Sequence, residues 1–176
     1  MTTKDRIKAR KIGIIGMARS GIAAARLIRE LGGIPFVSDV KAADALSNEL
    51  AILRANGIEF ETGGHTEKLL SSDFIIISPG VPGTVPIIRQ ITEAGIPIFS
   101  EIELASWFCR GRIIAITGSN GKTTTTSLMG AILDAAGFEN IVCGNIGRPF
   151  AEVVQEISPD GYAVLEVSNF QLETIE

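Results

Sequence analysis

Ile113-Ile-Ala-Ile-Thr-Gly-Ser-Asn-Gly-Lys-Thr-Thr-Thr-Thr126 is the stretch from which the fold can be read. It opens on an apolar run, Ile113 to Ile116, of the length expected for a buried parallel strand. A Gly-Ser-Asn-Gly turn follows. Lys122 and Thr123 come next, and Leu128, Met129, Ile132 and Leu133 then recur at helical spacing. Strand, glycine turn, Lys-Thr and helix, in that order, build a phosphate-binding loop. Gly118 and Gly121 let the backbone bend close to a ligand. The bend aims amides and the positive end of the following helix at an anion. The candidate ATP-binding set is therefore Gly118, Ser119, Asn120, Gly121, Lys122, Thr123 and Thr124. Lys122 is placed to reach the β/γ-phosphates, and the Thr123 hydroxyl to hold a magnesium ion.

The general pattern has four residues between its glycines, and here Ile116 stands where the first glycine belongs. An ordinary turn carrying a chance Gly-Lys-Thr is the competing reading. The order of the flanking elements argues against it.

Working outward, the pattern of apolar runs and glycine turns is α/β throughout. Lys11-Ile-Gly-Ile-Ile15 reads as the first strand, Ile22 to Leu31 as a helix closed by Gly32-Gly33, and Pro35 to Ser38 as a second strand ending at Asp39. Ala42 to Ala55 reads as a helix, Ile58 to Phe60 and Phe74 to Ser78 as strands, Ile87 to Ala94 as a helix, Ile96 to Phe99 as a strand and Glu101 to Cys109 as a helix. Strands alternating with helices predict a Rossmann-like, doubly wound parallel sheet. Arg110-Gly111 is a candidate hinge. The pattern then restarts, with strands at Ile141 to Cys143 and Tyr162 to Glu166 and a helix from Ala151 to Ile157. The expected domains are 1–110 and 111–176.

Gly13, Gly16 and Gly21, with Asp39 at the end of the second strand, suggest a dinucleotide site, but the spacing is not Gly-x-Gly-x-x-Gly. A nucleotide diphosphate on the amides of Met17, Ala18, Arg19 and Ser20 fits the glycine loop better than a nicotinamide cofactor does. Ser78-Pro79-Gly80 ends a later strand on the edge where such sheets bind ligands. Glu166 ends a buried strand beyond the phosphate loop. It can hold magnesium, or it can be a charge that meets water at a strand end. Asn145 can donate to a substrate carbonyl or serve only as a turn former.

The composition excludes several classes. A net charge of −4 leaves no basic footprint for nucleic acid. No apolar run is long enough to span a bilayer. The stretch from Met1 to Lys11 lacks the apolar core of a signal peptide, so a cytoplasmic protein is expected. Cys109 and Cys143 have no metal-ligand spacing and are expected to be buried reduced thiols. His65 is the only histidine. It follows Gly63-Gly64 in a polar loop and is expected at the surface.

Several segments resemble one family. Thr117-Gly-Ser-Asn-Gly-Lys-Thr-Thr124 resembles the ATP loop of the Mur ligases, which build the peptidoglycan stem peptide. Ser78-Pro-Gly-Val-Pro82, Ser100-Glu-Ile-Glu103, Gly144-Asn-Ile-Gly147 and Leu165-Glu-Val-Ser-Asn-Phe-Gln-Leu-Glu173 resemble the D-glutamate-adding branch. Asn169 stands where that branch usually has a second serine. The resemblance covers a UDP-substrate domain and the opening part of a central ATPase domain. The family's third, amino-acid-binding domain and its carbamoylated lysine have no counterpart, so an N-terminal fragment is expected.

The resemblance implies the chemistry. The carboxylate of UDP-N-acetylmuramoyl-L-alanine attacks ATP to give an acyl phosphate, and D-glutamate displaces phosphate. Lys122, Asn145 and Glu166 would be catalytic, and Thr123 and Glu166 would hold Mg²⁺. Met17, Ala18, Arg19, Ser20, Asp39, Gly80, Asn145, Ser168 and Gln171 would contact the UDP-substrate. A monomer is expected. Another Mur ligase, a folylpolyglutamate synthase relative, a stand-alone P-loop NTPase and a nicotinamide-binding module are the alternatives.

Overall fold

The computed structural model describes residues 3–175. The chain forms two compact units that divide between Glu101 and Ile102. The division falls at the start of a short helix that the sequence reading placed wholly in the first domain.

The first unit is built on a five-stranded parallel sheet. Its strands are β1 (Lys11–Ile15), β2 (Ile34–Asp39), β3 (Glu59–Thr62), β4 (Phe74–Ile77) and β5 (Ile98–Ser100), in the order β3-β2-β1-β4-β5. Reversal of strand order at β1 opens a crevice at the carboxyl ends of β1 and β4. Helix α1 (Arg19–Glu30) buries Ile22, Ala23, Ala24, Ala25, Leu27 and Ile28. Small alanines on that face let the helix lie close to the sheet, as the spacing of apolar residues predicts. Ile15, Phe36, Leu69, Ile75, Ile87 and Ile91 pack as one cluster at the centre, with Phe36 on β2 and Ile87 and Ile91 on α3 (Pro86–Glu93).

The predicted helix from Ala42 to Ala55 is two elements. Ala43–Leu46 is a 3-10 helix and α2 covers Ser47–Ala55. Asp44 accounts for the break. Its Oδ1 accepts the next backbone N–H, from Ala45, and its carbonyl accepts from Ser47 Oγ, so local side-chain bonds compete with the α-helical ladder. The helix expected to reach Cys109, α4, stops at Ser106. Phe108 and Cys109 close on Ala105 and Ser106 by i→i+3 bonds, the tightening usual at helix ends.

The second unit has three parallel strands, β6 (Arg112–Ile116), β7 (Asn140–Gly144) and β8 (Tyr162–Glu166), in the order β6-β8-β7. Helix α5 (Lys122–Ala135) connects β6 to β7. Two short helices, α6 (Phe150–Val153) and α7 (Asn169–Leu172), follow β7 and β8. The helix predicted to run to Ile157 thus ends at Val153, and Glu156 N–H turns back on Val153 O. β8 is central and buried from Ala163 to Glu166. β6 is not the buried strand its composition predicts. It pairs only with β8 and lies at the sheet edge, and Ile113 stays 41% exposed. Burial of a strand's faces needs layers packed over them, and α5 lies mainly over β7 and β8, which composition does not report. Leu128, Ile132 and Phe138 of the same unit are also exposed. No helix among the described residues is long and apolar enough to cross a membrane.

Candidate functional site

In the first unit the glycine turn between β1 and α1 is held by packing. A Cβ on Gly21 would lie 2.0 Å from the Gly16 carbonyl oxygen, so only glycine lets the first turn of α1 sit against the end of β1. Gly16 itself has φ +100°. Ala18, the residue before α1, offers no side-chain cap, and α1 carries no acid in its first turn. That helix end is therefore open to an anion.

Asp39 lies under this turn and is only 8% exposed. Its Oδ2 accepts the Met17 N–H at 2.7 Å, and its Oδ1 accepts the Lys41 N–H at 2.9 Å. Met17 is fully buried, whereas Ala18 and Arg19 are exposed and Ser20 half-exposed. The Met17 amide is thus taken by Asp39, and the outward part of the turn is Ala18 to Ser20. Ser78, at the end of β4, is buried and donates from Oγ to Gly16 O at 3.3 Å. Gly80 beyond it is exposed.

His65 is not the simple surface residue expected. It is half-buried, and its Nδ1 lies 2.6 Å from Ser38 Oγ. Ser38 also reaches Glu61 Oε1 at 2.6 Å. Burial holds the His65 ring below the ordinary histidine range, against the opposing pull of Glu61 and Asp39. Sequence reasoning missed this cluster because its members come from two strand ends and a loop.

In the second unit the phosphate-loop motif forms the junction of β6 and α5. Gly121 takes φ +75° as the residue before α5, a left-handed conformation that favours glycine. No atom lies within 4 Å of where its Cβ would be, so that side of the turn is open. No side chain caps α5 and no acid sits in its first turn. Ser119 and Asn120 are exposed at the tip, as are Thr123 and Thr124 on the first turn of the helix. Lys122 folds back, its Nζ donating to Gly118 O at 2.6 Å. Ile116, at the position of the missing glycine, is the last residue of β6, and its carbonyl accepts the Val167 N–H.

Glu166 brings the rest together. It is 2% exposed at the carboxyl end of β8. Its Oε2 accepts from Thr123 Oγ1 at 2.7 Å, and its Oε1 accepts from Asn145 Nδ2 at 2.8 Å. The Asn145 N–H is fixed on the Glu166 carbonyl as well, at 2.9 Å. That approach depends on Gly144, which has φ +102° and whose Cβ would lie 2.6 Å from the same carbonyl oxygen. Three residues distant in sequence, Thr123, Asn145 and Glu166, thus share one carboxylate. An adjacent hydroxyl and carboxylate are hard oxygen donors of the kind Mg²⁺ takes, usually one or two from protein. Thr123 donates its hydrogen to Glu166 and keeps its lone pairs, so the pair fits that ion.

Ser168 and Gln171 have a different setting. They form a reciprocal cap on α7: Ser168 Oγ accepts the Gln171 N–H, and Gln171 Oε1 accepts the Ser168 N–H at 2.8 Å. Gln171 is 3% exposed. Ser-x-x-Gln is a sequence signature of this cap and was there to be read. Asn169, in place of the usual serine, is exposed on the first turn. Cys143 is buried and Cys109 half-buried, and neither forms a disulfide. Burial pushes the Cys109 thiol up.

Residues 11–85 match the MurD N-terminal domain, and residues 116–175 match the Mur ligase middle domain. The UDP-N-acetylmuramoylalanine–D-glutamate ligase of Chloroherpeton thalassium is 48% identical over 175 residues, covering 97% of this chain and 37% of that protein. The enzyme of the same name from Salinibacter ruber is 47% identical, covering 99% of this chain and 38% of its own length. Among solved structures, the UDP-N-acetylmuramate-alanine ligase of Thermotoga maritima superposes with a TM-score of 0.51 at 22% identity, over 90% of this chain and 37% of that one. A murein peptide ligase from Psychrobacter arcticus gives a TM-score of 0.54 at 21% identity, over 92% of this chain and 39% of that one. These two likenesses speak to fold alone. The chain spans somewhat over a third of the length of the curated relatives it matches. Both of its units carry a matching domain model and nearly its whole length aligns with those relatives, so the chain belongs to the Mur ligases.

Proposed function

We propose that the chain is the UDP-substrate-binding and phosphate-binding part of an ATP-dependent ligase that adds D-glutamate to UDP-N-acetylmuramoyl-L-alanine. The observation that carries the reading is the Glu166 carboxylate held between Thr123 and Asn145, beside the uncapped Gly-Lys-Thr turn. On this reading the first unit holds the UDP end of the substrate. Residues 111–176 begin the ATP-binding domain. The protein acts in the cytoplasm as a monomer.

The first chemical step is phosphoryl transfer from ATP to the L-alanine carboxylate, giving ADP and an acyl phosphate; the D-glutamate amine then attacks the acyl carbon, losing a proton and displacing inorganic phosphate to leave the amide. Such a step asks the protein mainly for positioning and charge neutralisation. The α5 amides and Lys122 cradle the phosphates, with the Lys122 ammonium leaving Gly118 O for a phosphate oxygen. Thr123 and Glu166 hold Mg²⁺, which supplies positive charge beside the phosphates when bound. Asn145, fixed at both its backbone and its side chain, places the muramoyl end. Ser168 and Gln171 act through the α7 cap, which sets the chain direction just after Glu166. In the first unit Ala18, Arg19 and Ser20 take the diphosphate. Asp39 and Gly80 line the uridine side, with Asp39 keeping the turn in place through Met17.

The test is calorimetry on the 176-residue chain with UDP-N-acetylmuramoyl-L-alanine, UDP and NAD side by side. Binding of the first two and not the third is expected. NAD binding without UDP binding would overturn the reading. The same chain incubated with ATP, magnesium and both substrates is expected to form no peptide bond. Holding the reactants in attack geometry supplies about 7–11 kcal/mol of such a barrier, and this chain aligns with only part of its relatives. Turnover of about one per second or faster, an enzymatic rate, would mean that the active site is misplaced.

A further inference from the structure

Ser38 is fully buried at the end of β2, next to Asp39. Its hydroxyl has one hydrogen and two close partners, Glu61 Oε1 and His65 Nδ1, each at 2.6 Å. Burial pushes the Glu61 carboxyl up. The bonds from Ser38 and Thr66 outweigh that, so the group sits below the usual carboxylate range. An ionised carboxylate only accepts, so the Ser38 hydrogen goes to Glu61. Nδ1 must then carry its own hydrogen and donate it to Ser38 Oγ. The ring is fixed as the Nδ1–H tautomer, with Nε2 as its basic nitrogen.

The same carboxylate accepts from Thr66 twice, from N–H at 2.9 Å and from Oγ1 at 2.6 Å. Gly63 N–H donates to Lys41 O at 2.8 Å, and Gly64 N–H to Asp39 O at 3.3 Å. The loop after β3 is thereby laced to the Ser38–Lys41 segment at both backbone and side-chain level. That segment carries the Asp39 carboxylate, which holds the Met17 amide at the start of the glycine turn.

We propose that His65 is a positioning residue for the uridine diphosphate site: its bond to Ser38 fixes the 63–66 loop against the end of β2 and so keeps Asp39 on the Met17 amide. The inference rests on the reading of the first unit as the UDP-binding domain. His65 is one bond removed from Asp39 and acts on the ligand only through it.

Because the chain has a single histidine, its imidazole gives one set of signals in a long-range ¹H–¹⁵N spectrum. The expected result near neutral pH is a protonated Nδ1 and a bare Nε2, with shifts on adding UDP. His65 signals that are the same in the wild type and in Ser38→Ala would show that the bond is absent and overturn the proposal. UDP titrations then compare the wild type with His65→Ala, Ser38→Ala, the double variant and His65→Asn, whose amide N–H can replace the ring donor. The single alanine variants are expected to weaken UDP roughly five- to tenfold, the scale of one lost hydrogen bond. The double variant should be no weaker than either single one, and His65→Asn should recover most of the affinity. A His65→Ala variant that melts earlier yet binds UDP within twofold of the wild type shows a merely structural role and refutes the inference. If the wild type does not bind UDP, the reading of the unit fails and the positioning role goes with it. If the wild type binds and His65→Ala binds equally, only the positioning role fails.

Discussion

Asp39→Ala removes the acceptor on which the glycine turn of the first unit rests. The bond from the Met17 amide is 2.7 Å and buried. A hydrogen bond to a charged group contributes about 1.5–3 kcal/mol, and here its loss leaves a buried N–H without a partner. The bond from Lys41, 2.9 Å and part-buried, adds less, about 0.5–1 kcal/mol, since water can replace it. The sum is about 2–4 kcal/mol, a large fraction of the 5–15 kcal/mol that stabilises a typical domain. UDP affinity should fall about tenfold or more at temperatures where the variant is still folded, because a turn freed from Asp39 must be ordered on binding. The assay must read the correct unit. The single tryptophan, Trp107, and the single tyrosine, Tyr162, both lie beyond Glu101. Intrinsic fluorescence therefore reports the second unit, and the His65 ring protons followed through a urea titration report the first. A loss under about 0.5 kcal/mol, the scatter of an ordinary surface substitution, together with unchanged UDP affinity, would refute the reasoning.

In the second unit, Thr123→Ala and Glu166→Gln should each reduce the magnesium dependence of ATP binding measured by calorimetry with and without the ion. Equal dependence in both variants would remove them as ligands. Gly144→Ala should destabilise the second unit by about 2–4 kcal/mol, combining a left-handed backbone with overpacking against the Glu166 carbonyl. Trp107 fluorescence in urea reads it, and an unshifted midpoint would mean that the Gly144–Glu166 crossing relaxes freely. Acid should weaken the first unit in two stages. His65 is held below its ordinary value by burial, against Glu61 and Asp39, so the unfolded chain takes the proton first. Its contribution is complete above about pH 6.5 and declines as pH falls toward the lowered folded value. Glu61 is also held low, so its contribution is present above the ordinary glutamate value and is lost below it. His65→Asn should flatten only the first stage, and a wild-type slope between pH 6.5 and 5 in that variant would assign the stage to another group.

The order of elements was legible because glycine or proline lies at or near the ends of the apolar runs, and because Gly-Lys-Thr here has an apolar strand pattern before it and a helical pattern after it. What could not be read depends on distance in sequence. Ile113 to Ile116 has the composition of a buried strand, yet its burial is set by what packs over its faces, and at the rim of the order β6-β8-β7 it lies away from the main contacts of α5. The Thr123–Glu166–Asn145 cluster was half-visible. The first two follow from the phosphate-loop pattern, while the third is brought in by the left-handed turn at Gly144. His65 looked like a loop residue because Gly63-Gly64 precedes it, and its partners Ser38 and Glu61 become neighbours only when β2 and β3 pair. Gln171 carries a second, local role that the sequence also shows, since Ser-x-x-Gln is the signature of a helix cap.

Strand β6 has one neighbour, so its outer row of backbone donors and acceptors faces no strand among the described residues. Ile113-Ile-Ala-Ile116 contains no charge, glycine or proline to discourage an incoming chain. Arg112, at its start, is turned onto the Tyr162 hydroxyl at 2.8 Å. An exposed apolar edge of this kind is a template for strand addition, with no need for a shaped interface. On its own, the 176-residue polypeptide should therefore begin to self-associate at β6 as its concentration rises, with both units still folded, and a lysine placed on that edge is the substitution that would postpone it.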